Sequence, residues 1–311
     1  MIIKKNAVTP ATETSLIMLL YGAPGVGKTT LACSAENPFV LDCDHGIKRV
    51  AASNRADYSD AKNFKDILAD VKEAKAAGYQ SIAIDTIGAL LDSMTQYIIA
   101  DNPKMAQADG TLTLKAYGVL KNMFLQFSAD VRASFKNTIY ICHEYASRDG
   151  DNTFYDLVIA GSTKQLIWQP VDLGARLHIR AGKRYLGFTP TEEYNAKSSF
   201  GIKGLVEVPE IGEGDKNDFL TRLFERVRQN ITAETAALAP QEEAYKKAMS
   251  AGTEIIDNLT KPEEVPAILE GIAALEHALT SEKELKEYLK KKMAELKIKY
   301  DKATKAYKYA E

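Results

Sequence analysis

At 311 residues the chain has room for one large domain with an appendage, or for two modest domains. Its 45% hydrophobic and 26% charged residues are the proportions of an ordinary globular protein. Forty Lys and Arg against 42 Asp and Glu exclude a grossly basic nucleic-acid-coating protein but leave room for a local basic face. The three cysteines, Cys33, Cys43 and Cys142, lack CxxC spacing and fit a reducing compartment.

Lys4 and Lys5 precede an apolar run, Leu16 to Tyr21, which is too short for a signal-peptide core or a membrane span. A cytoplasmic protein with no membrane partner is expected, in a host's cytoplasm if phage-encoded. The same run reads as a strand buried on both faces of a parallel sheet. A glycine loop over 22–27 follows, then a short helix that must stop before Pro38. Pro38 to Leu41 is a second strand, leading into Asp42-Cys43-Asp44. Phe64, Ile67, Leu68 and Val71 fall at helical spacing within 63–77, and Gly78 is a natural stop. Ser81 to Ile84 is a third strand ending in Asp85, with a helix after it around 87–100. Residues 101–112 read as a loop, 116–135 as a helix, and Thr138 to Cys142 as a fourth strand ending at His143-Glu144.

Between 145 and 165 the turn signal Arg148-Asp149-Gly150-Asp151-Asn152 predicts a projecting hairpin. A second hairpin turns at Ala181-Gly182-Lys183, and Leu205 to Val208 reads as the last strand. Strands alternating with helices predict an α/β fold with a mostly parallel central sheet, whose ligands sit at the carboxyl ends of the strands. This core is expected over residues 1–230. From 231 to 311 the pattern is helical, predicting an all-helical C-terminal extension. Helix starts are expected at Thr260-Lys261-Pro262 and, as a capping box, at Ser281 to Glu284. Leu285, Leu289, Met293, Leu296, Tyr300, Ala303 and Tyr307 form one apolar stripe on a predicted final helix.

The chemistry begins at Gly22-Ala23-Pro24-Gly25-Val26-Gly27-Lys28-Thr29, a full match to G-x-x-x-x-G-K-[ST] between a strand and a helix, with Thr30 following. Glycines let successive backbone N–H groups turn inward around phosphates, Lys28 reaches the β- and γ-phosphates, and Thr29 ligates magnesium. ATP with Mg2+ is therefore the expected cofactor pair, and no Asn-Lys-x-Asp guanine-reading motif is present. Asp85, at a strand end, is expected either to hold the magnesium or to cap the next helix, a role Thr86 also fits. Asp44 is the first candidate to orient the attacking water, on the reading that its strand lies beside the P-loop strand; Glu144 is the alternative. His143 is placed to sense the γ-phosphate or to serve as a hydrogen-bonded strand-end residue. Asp42 is expected to sit lower and to be structural.

Together these residues resemble the RecA-like ATPases, in particular compact phage nucleotide-binding proteins with a RecA-type core linked to single-strand annealing recombination. The likeness spans about residues 15–210. It implies that Asp44, one methylene shorter than the usual Glu, is the catalytic carboxylate. Ile84-Asp85-Thr86 is similar to the magnesium-site strand, and Tyr140 to Glu144 to the phosphate-sensing strand end. Ala196-Lys197-Ser198-Ser199-Phe200-Gly201 resembles a segment offering basic fingers to a neighbouring subunit's nucleotide. Lys197 fits the first finger; Ser199 stands at the second, which Lys203 or Arg184 would have to supply. The resemblance thus implies a homo-oligomer acting on single-stranded DNA, with a recombination or replication protein as a further partner. A nucleotide-switched regulator or helicase loader acting on a protein is the alternative.

Ten lysines and four acids lie between Lys283 and Lys308, interleaved with Tyr288, Tyr300 and Tyr307, and Tyr309 follows. This segment reads either as a helix gripping single-stranded DNA through phosphates and bases, or as an amphipathic helix with a solvated charged face. Docking of its apolar stripe on another subunit is a third use. Lys104, Arg148 and Lys164 are scattered cations in the two long loops.

Overall fold

The structure, a computed structural model, describes residues 14–150, 152–159, 163–211, 215–302 and 304–310. The segment carrying Lys4 and Lys5, Asp151 of the hairpin turn, and Ala303 of the C-terminal stripe lie outside the described residues. The chain divides into two compact units, one within Ala11–Ile231 and one within Thr232–Glu311.

The first unit is built on β1 (Leu16–Gly22), β2 (Pro38–Asp42), β3 (Asp57–Ser59), β4 (Ser81–Asp85), β5 (Asn137–Asp149), β6 (Asn152–Leu157), β7 (Leu173–Arg180), β8 (Lys183–Gly187), β9 (Lys197–Ser198) and β10 (Leu205–Val208). The sheet order is β10-β8-β7-β1-β5-β4-β2-β3, with β6 paired to β5 and β9 to β7. From β7 through β3 every neighbouring pair is parallel, whereas β8 and β10 add an antiparallel edge. The helices are α1 (Lys28–Ala32), α2 (Phe64–Ala76), α3 (Ile87–Asp101), α4 (Leu114–Ser134) and α5 (Thr163–Trp168), followed by the first turns of α6 (Phe219–Asp257). The result is the expected α/β arrangement, a mostly parallel sheet flanked by helices with the glycine loop at the carboxyl end of β1.

Alternation along β1 explains why its run is apolar throughout. Ile17, Leu19 and Tyr21 enter the core under α2, α3 and α4, while Leu16, Met18 and Leu20 enter the core shared with α1 and Leu220, Phe224 and Val227 of α6. Local chemistry sets the helix boundaries. Asn63 caps α2 by accepting from the N–H groups of Lys65 and Asp66, and Thr113 caps α4 by accepting from Ala116. At the β7–β8 turn Ala181 and Gly182 have φ of 49° and 78°, the conformation of a tight two-residue hairpin.

One positional expectation is corrected. The strand carrying Asp42 to Asp44 does not lie beside β1, because β5 and β4 both intervene between β1 and β2. β5 pairs with β1 along Leu16 to Gly22, so the P-loop strand is flanked by β5 and β7.

The second unit holds the rest of α6, α7 (Val265–Ala273) and α8 (Ser281–Glu295), packed around Ile256, Leu259, Ile268, Ile272, Leu285 and Leu289. A Cβ on Gly252 would lie 2.3 Å from Leu285, so glycine permits the close approach of α6 and α8. Helices are present as expected, but the final one is shorter than the stripe predicts. It ends at Glu295, Lys297 adopts φ 56°, and β11 (Ile298–Asp301) and β12 (Ala306–Tyr309) form an antiparallel hairpin. Tyr300 and Tyr307 therefore belong to strands. The capping box also moves: the Glu264 carboxylate accepts from the N–H groups of Thr260 and Lys261 at 2.8 and 2.9 Å, whereas Ser281 Oγ accepts from Ala278 N–H.

Candidate functional site

The loop after β1 has a shape only glycine permits at three points. A Cβ on Gly22 would lie 2.3 Å from the Leu177 carbonyl oxygen, and Gly25 and Gly27 hold φ of 76° and 102°. Ala23, Pro24 and Val26 complete the loop. The first helical bond of α1 runs from Leu31 N–H to the Gly27 carbonyl at 2.9 Å, so the amides of Lys28, Thr29 and Thr30 precede it as the donors of a helix start. Lys28 is buried, and its ammonium donates to the Gly22 and Ala23 carbonyls, both at 2.9 Å. Burial pushes its pKa down, against the opposing pull of Asp85 and Glu144.

Thr29 Oγ1 donates to Asp85 Oδ2 at 2.6 Å. Asp85 is 5% exposed at the end of β4, and burial pushes its carboxyl above the ordinary range, with the Thr29 hydrogen bond partly opposing. Thr86, not Asp85, caps α3, accepting from Ala89 N–H at 3.3 Å. The Asp85 carboxylate is thus left free of capping, and among the described residues no ion pair holds it. A hydroxyl beside a buried carboxylate is an oxygen donor pair suited to a hard cation that keeps phosphate and water ligands, so these residues fit magnesium. No cluster of three or more His, Cys, Asp or Glu side chains that could hold a metal occurs among the described residues.

His143 lies level with Gly22, where β5 passes β1. Its Nδ1 is 3.4 Å from Lys28 Nζ and its Nε2 is 3.5 Å from Asp44 Oδ2. An ammonium can only donate, so a neutral His143 accepts at Nδ1 and carries its proton on Nε2, facing the Asp44 carboxylate. Asp44 is anchored by its own N–H, which bonds the Asp85 carbonyl at 3.0 Å. Lys28, His143 and Asp44 thus form one line beside the Thr29–Asp85 pair, although β2 is two strands removed from β1. Asp42 does not join them: its carboxylate accepts from Gly46 and Ile47 N–H groups at 2.8 and 3.0 Å, a structural role.

Glu144 faces elsewhere. Arg176 on β7 holds it with two hydrogen bonds, of 2.7 and 2.9 Å, and both side chains are under 10% exposed. The Arg176 guanidinium carbon stacks 3.5 Å from the Tyr155 ring centroid. The clasp commits Glu144 to Arg176, whereas Asp44 faces His143. A cleft of about 1170 Å3 opens on this flank, between Pro24 and Gly25 of the loop and Arg176, His178 and Tyr194. Sequence reasoning missed Arg176 and Tyr155. The available signal was a cation inside the apolar run Leu173 to Ile179.

Lys197 is not brought to this cluster. It pairs with Gly174 on β7, which is level with Leu19, three residues short of Gly22 along β1. Arg184, considered for a neighbour's nucleotide, lies against its own loop: Nε donates to the Val26 carbonyl at 3.1 Å. Lys164 is committed to Asp156 at 2.5 Å. Burial raises the Cys43 and Cys142 thiols to about 12, so neither is a ready nucleophile or metal ligand at neutral pH.

A family model described as AAA domain matches residues 14–200, from the residues before β1 to just past β9, and takes in every site residue above. The chain belongs to the AAA domain family. It is a P-loop ATPase. No curated protein matches it in sequence. Among solved structures, this AAA domain chain is similar to a KaiC-like protein from the hyperthermophilic archaeon Pyrococcus horikoshii, at 15% identity and TM-score 0.35, over 62% of this chain and 89% of that one. It is also similar to an ATPase from the type III secretion system of pathogenic bacteria, at 12% identity and TM-score 0.34, over 55% of this chain and 56% of that one. Among the described residues no helix is long and apolar enough to cross a membrane.

Proposed function

We propose that this protein binds ATP with magnesium at the loop 22–29, hydrolyses it, and acts as an oligomer on single-stranded DNA in recombination or annealing. The observation that carries the hydrolytic part is the line Lys28–His143–Asp44 beside the Thr29–Asp85 pair. The loop amides and Lys28 bind and orient the β- and γ-phosphates, with Lys28 exchanging loop carbonyls for phosphate oxygens. Thr29 and Asp85 would hold the magnesium ion, which when bound neutralises triphosphate charge. Asp44 accepts a proton from the attacking water or orients it, and the Nε2–H of His143 aims the carboxylate. The oligomer is supported by the resemblance and by Lys197, which stands away from its own phosphate loop and is free to serve a neighbour's.

Hydrolysis measured with and without magnesium, and with and without single-stranded DNA at low and moderate salt, tests this reading. Magnesium-dependent turnover stimulated by DNA is expected. Lys28→Ala should abolish nucleotide affinity, whereas Asp44→Ala should keep it and lower turnover by about a hundredfold or more. Absence of magnesium-dependent nucleotide binding would remove the whole reading. Turnover without any DNA binding at low salt would leave a nucleotide-switched regulator of a protein partner. A strict monomer with and without an ATP analogue would remove the role of Lys197 in a neighbour's site.

A further inference from the structure

We infer that Arg184, on the antiparallel margin of the sheet, is a positioning residue that aims a phosphate-binding amide of the P-loop. This role rests on the reading of loop 22–29 as the ATP site. β8 carries Arg184 on the same face as Leu186, which shares a core with Leu31 and Ala32 of α1. Lys183 and Tyr185 alternate to the opposite face, where they donate to the Glu207 carboxylate at 2.8 and 3.4 Å. The acid of the neighbouring strand is thus committed away from Arg184, and among the described residues no ion pair holds the Arg184 guanidinium. The half-buried Arg184 reaches the loop instead, where its Nε donates to the Val26 carbonyl at 3.1 Å.

That bond sets the direction of a peptide plane. The Val26–Gly27 peptide is trans, so its C=O and N–H point opposite ways. Holding the Val26 oxygen toward β8 therefore turns the Gly27 N–H to the other side of the loop, away from β8. The ladder of α1 cannot do this, because its first bond accepts at Gly27, one residue later. The plane also lies between Gly25 and Gly27, with φ of 76° and 102°, where no Cβ restrains its rotation. A glycine-flanked peptide needs an outside anchor to keep one orientation.

Arg184 is shaped for that task. A Cβ on Gly27 would lie 3.5 Å from Arg184 Nε and 4.0 Å from its Cδ, so the side chain runs alongside this part of the loop in ordinary contact. A charged donor on the carbonyl also polarises the peptide and strengthens its N–H as a donor. An amide already aimed costs no reorganisation when a phosphate arrives.

The test measures dissociation constants of the full chain for ATP and for tripolyphosphate, each with magnesium, in wild type, Arg184→Met, Arg184→Gln and Arg184→Lys. Gln places a neutral N–H donor as many bonds from the backbone as Nε, Lys keeps the charge with its donor displaced, and Met keeps only the stem. Arg184→Met should weaken both ligands by the same factor, about tenfold or more, the scale of a lost hydrogen bond to a charged group. Arg184→Gln should stay within about threefold of wild type and bind more tightly than Arg184→Lys. That ranking decides the matter by itself if circular dichroism shows Arg184→Met unfolded. Wild-type affinity in a folded Arg184→Met overturns the role. So does a loss for ATP with tripolyphosphate unchanged, which would place Arg184 on the nucleoside. Lys equal to or tighter than Gln overturns it too, since charge rather than the Nε bond would act. Mixing Arg184→Met with Lys28→Ala should give no recovery of hydrolysis, and recovery would mean that Arg184 serves a neighbour's site. These outcomes remove Arg184 alone, whereas absence of magnesium-dependent binding in wild type removes the ATP site and this role together.

Discussion

Two buried carboxylates stand within the same few strand ends and are treated in opposite ways. Glu144 is clasped by Arg176 through two hydrogen bonds and roofed by Tyr155, so its charge is answered inside the protein. Asp85 is as well buried, but its one side-chain hydrogen bond is from the Thr29 hydroxyl and Lys28 attracts it without a direct ion pair, so burial still pushes its carboxyl up. A buried charge without a directly paired counter-charge costs stability. The contrast separates a carboxylate whose charge is answered by a direct ion pair from one that has none, without reference to any motif.

Removing the counter-charge is the strongest way to break this comparison. Arg176→Ala leaves Glu144 buried and unpaired, and about 3–5 kcal/mol of stability should be lost in urea unfolding. Glu144→Gln combined with Arg176→Met should recover most of it, because both charges go together. A loss below about 1 kcal/mol in the single variant would mean that water reaches Glu144.

Asp85→Asn should act in the reverse sense on stability while costing about a hundredfold in magnesium-dependent hydrolysis. The sign follows from linkage. Burial raises the Asp85 carboxyl in the folded state above its ordinary value of 3.8, so the folded protein keeps the proton longer than the unfolded chain. Its stabilising contribution is complete below about 3.8 and is lost as pH rises through the folded value. Wild type should therefore fall progressively behind Asp85→Asn in Tm as pH is raised through that window. Parallel Tm curves for the two proteins would show that the carboxylate is not held at a cost.

How much of this was readable in the sequence depends on the reach of each interaction. The P-loop and the Asp85 strand are local patterns, in which glycines, an apolar run and a terminal acid fix geometry within a few residues. The Glu144–Arg176 clasp joins residues 32 apart, and its partner choice depends on β7 sitting across β1 from β5. The same insertion of β5 and β4 defeated the expectation that β2 borders β1, although Asp44 still reaches His143. In the tail, Leu296, Tyr300 and Tyr307 fit a helical stripe, yet Tyr300 and Tyr307 also face each other across a strand ladder. The left-handed turn at Lys297 decided between the two periods, and nothing in a lysine announces that turn.

The finest distinction lies in the roof over the clasp. Tyr155 on β6 contributes a ring face to Arg176, while its backbone N–H bonds the Glu193 carbonyl at 2.7 Å independently of the side chain. Tyr155→Phe keeps the ring and should leave stability within a few tenths of a kcal/mol. Tyr155→Ala removes it and should cost about 1 kcal/mol, the range of a partly desolvated cation–ring contact. Because the two residues touch, Tyr155→Ala and Arg176→Lys should be non-additive by a similar amount in a double-mutant cycle. If Phe is as costly as Ala, the hydroxyl rather than the ring holds Arg176. The clasp would then owe its order to hydrogen bonding alone, and the shielding that separates Glu144 from Asp85 would have to come from the Tyr194 side of the cleft.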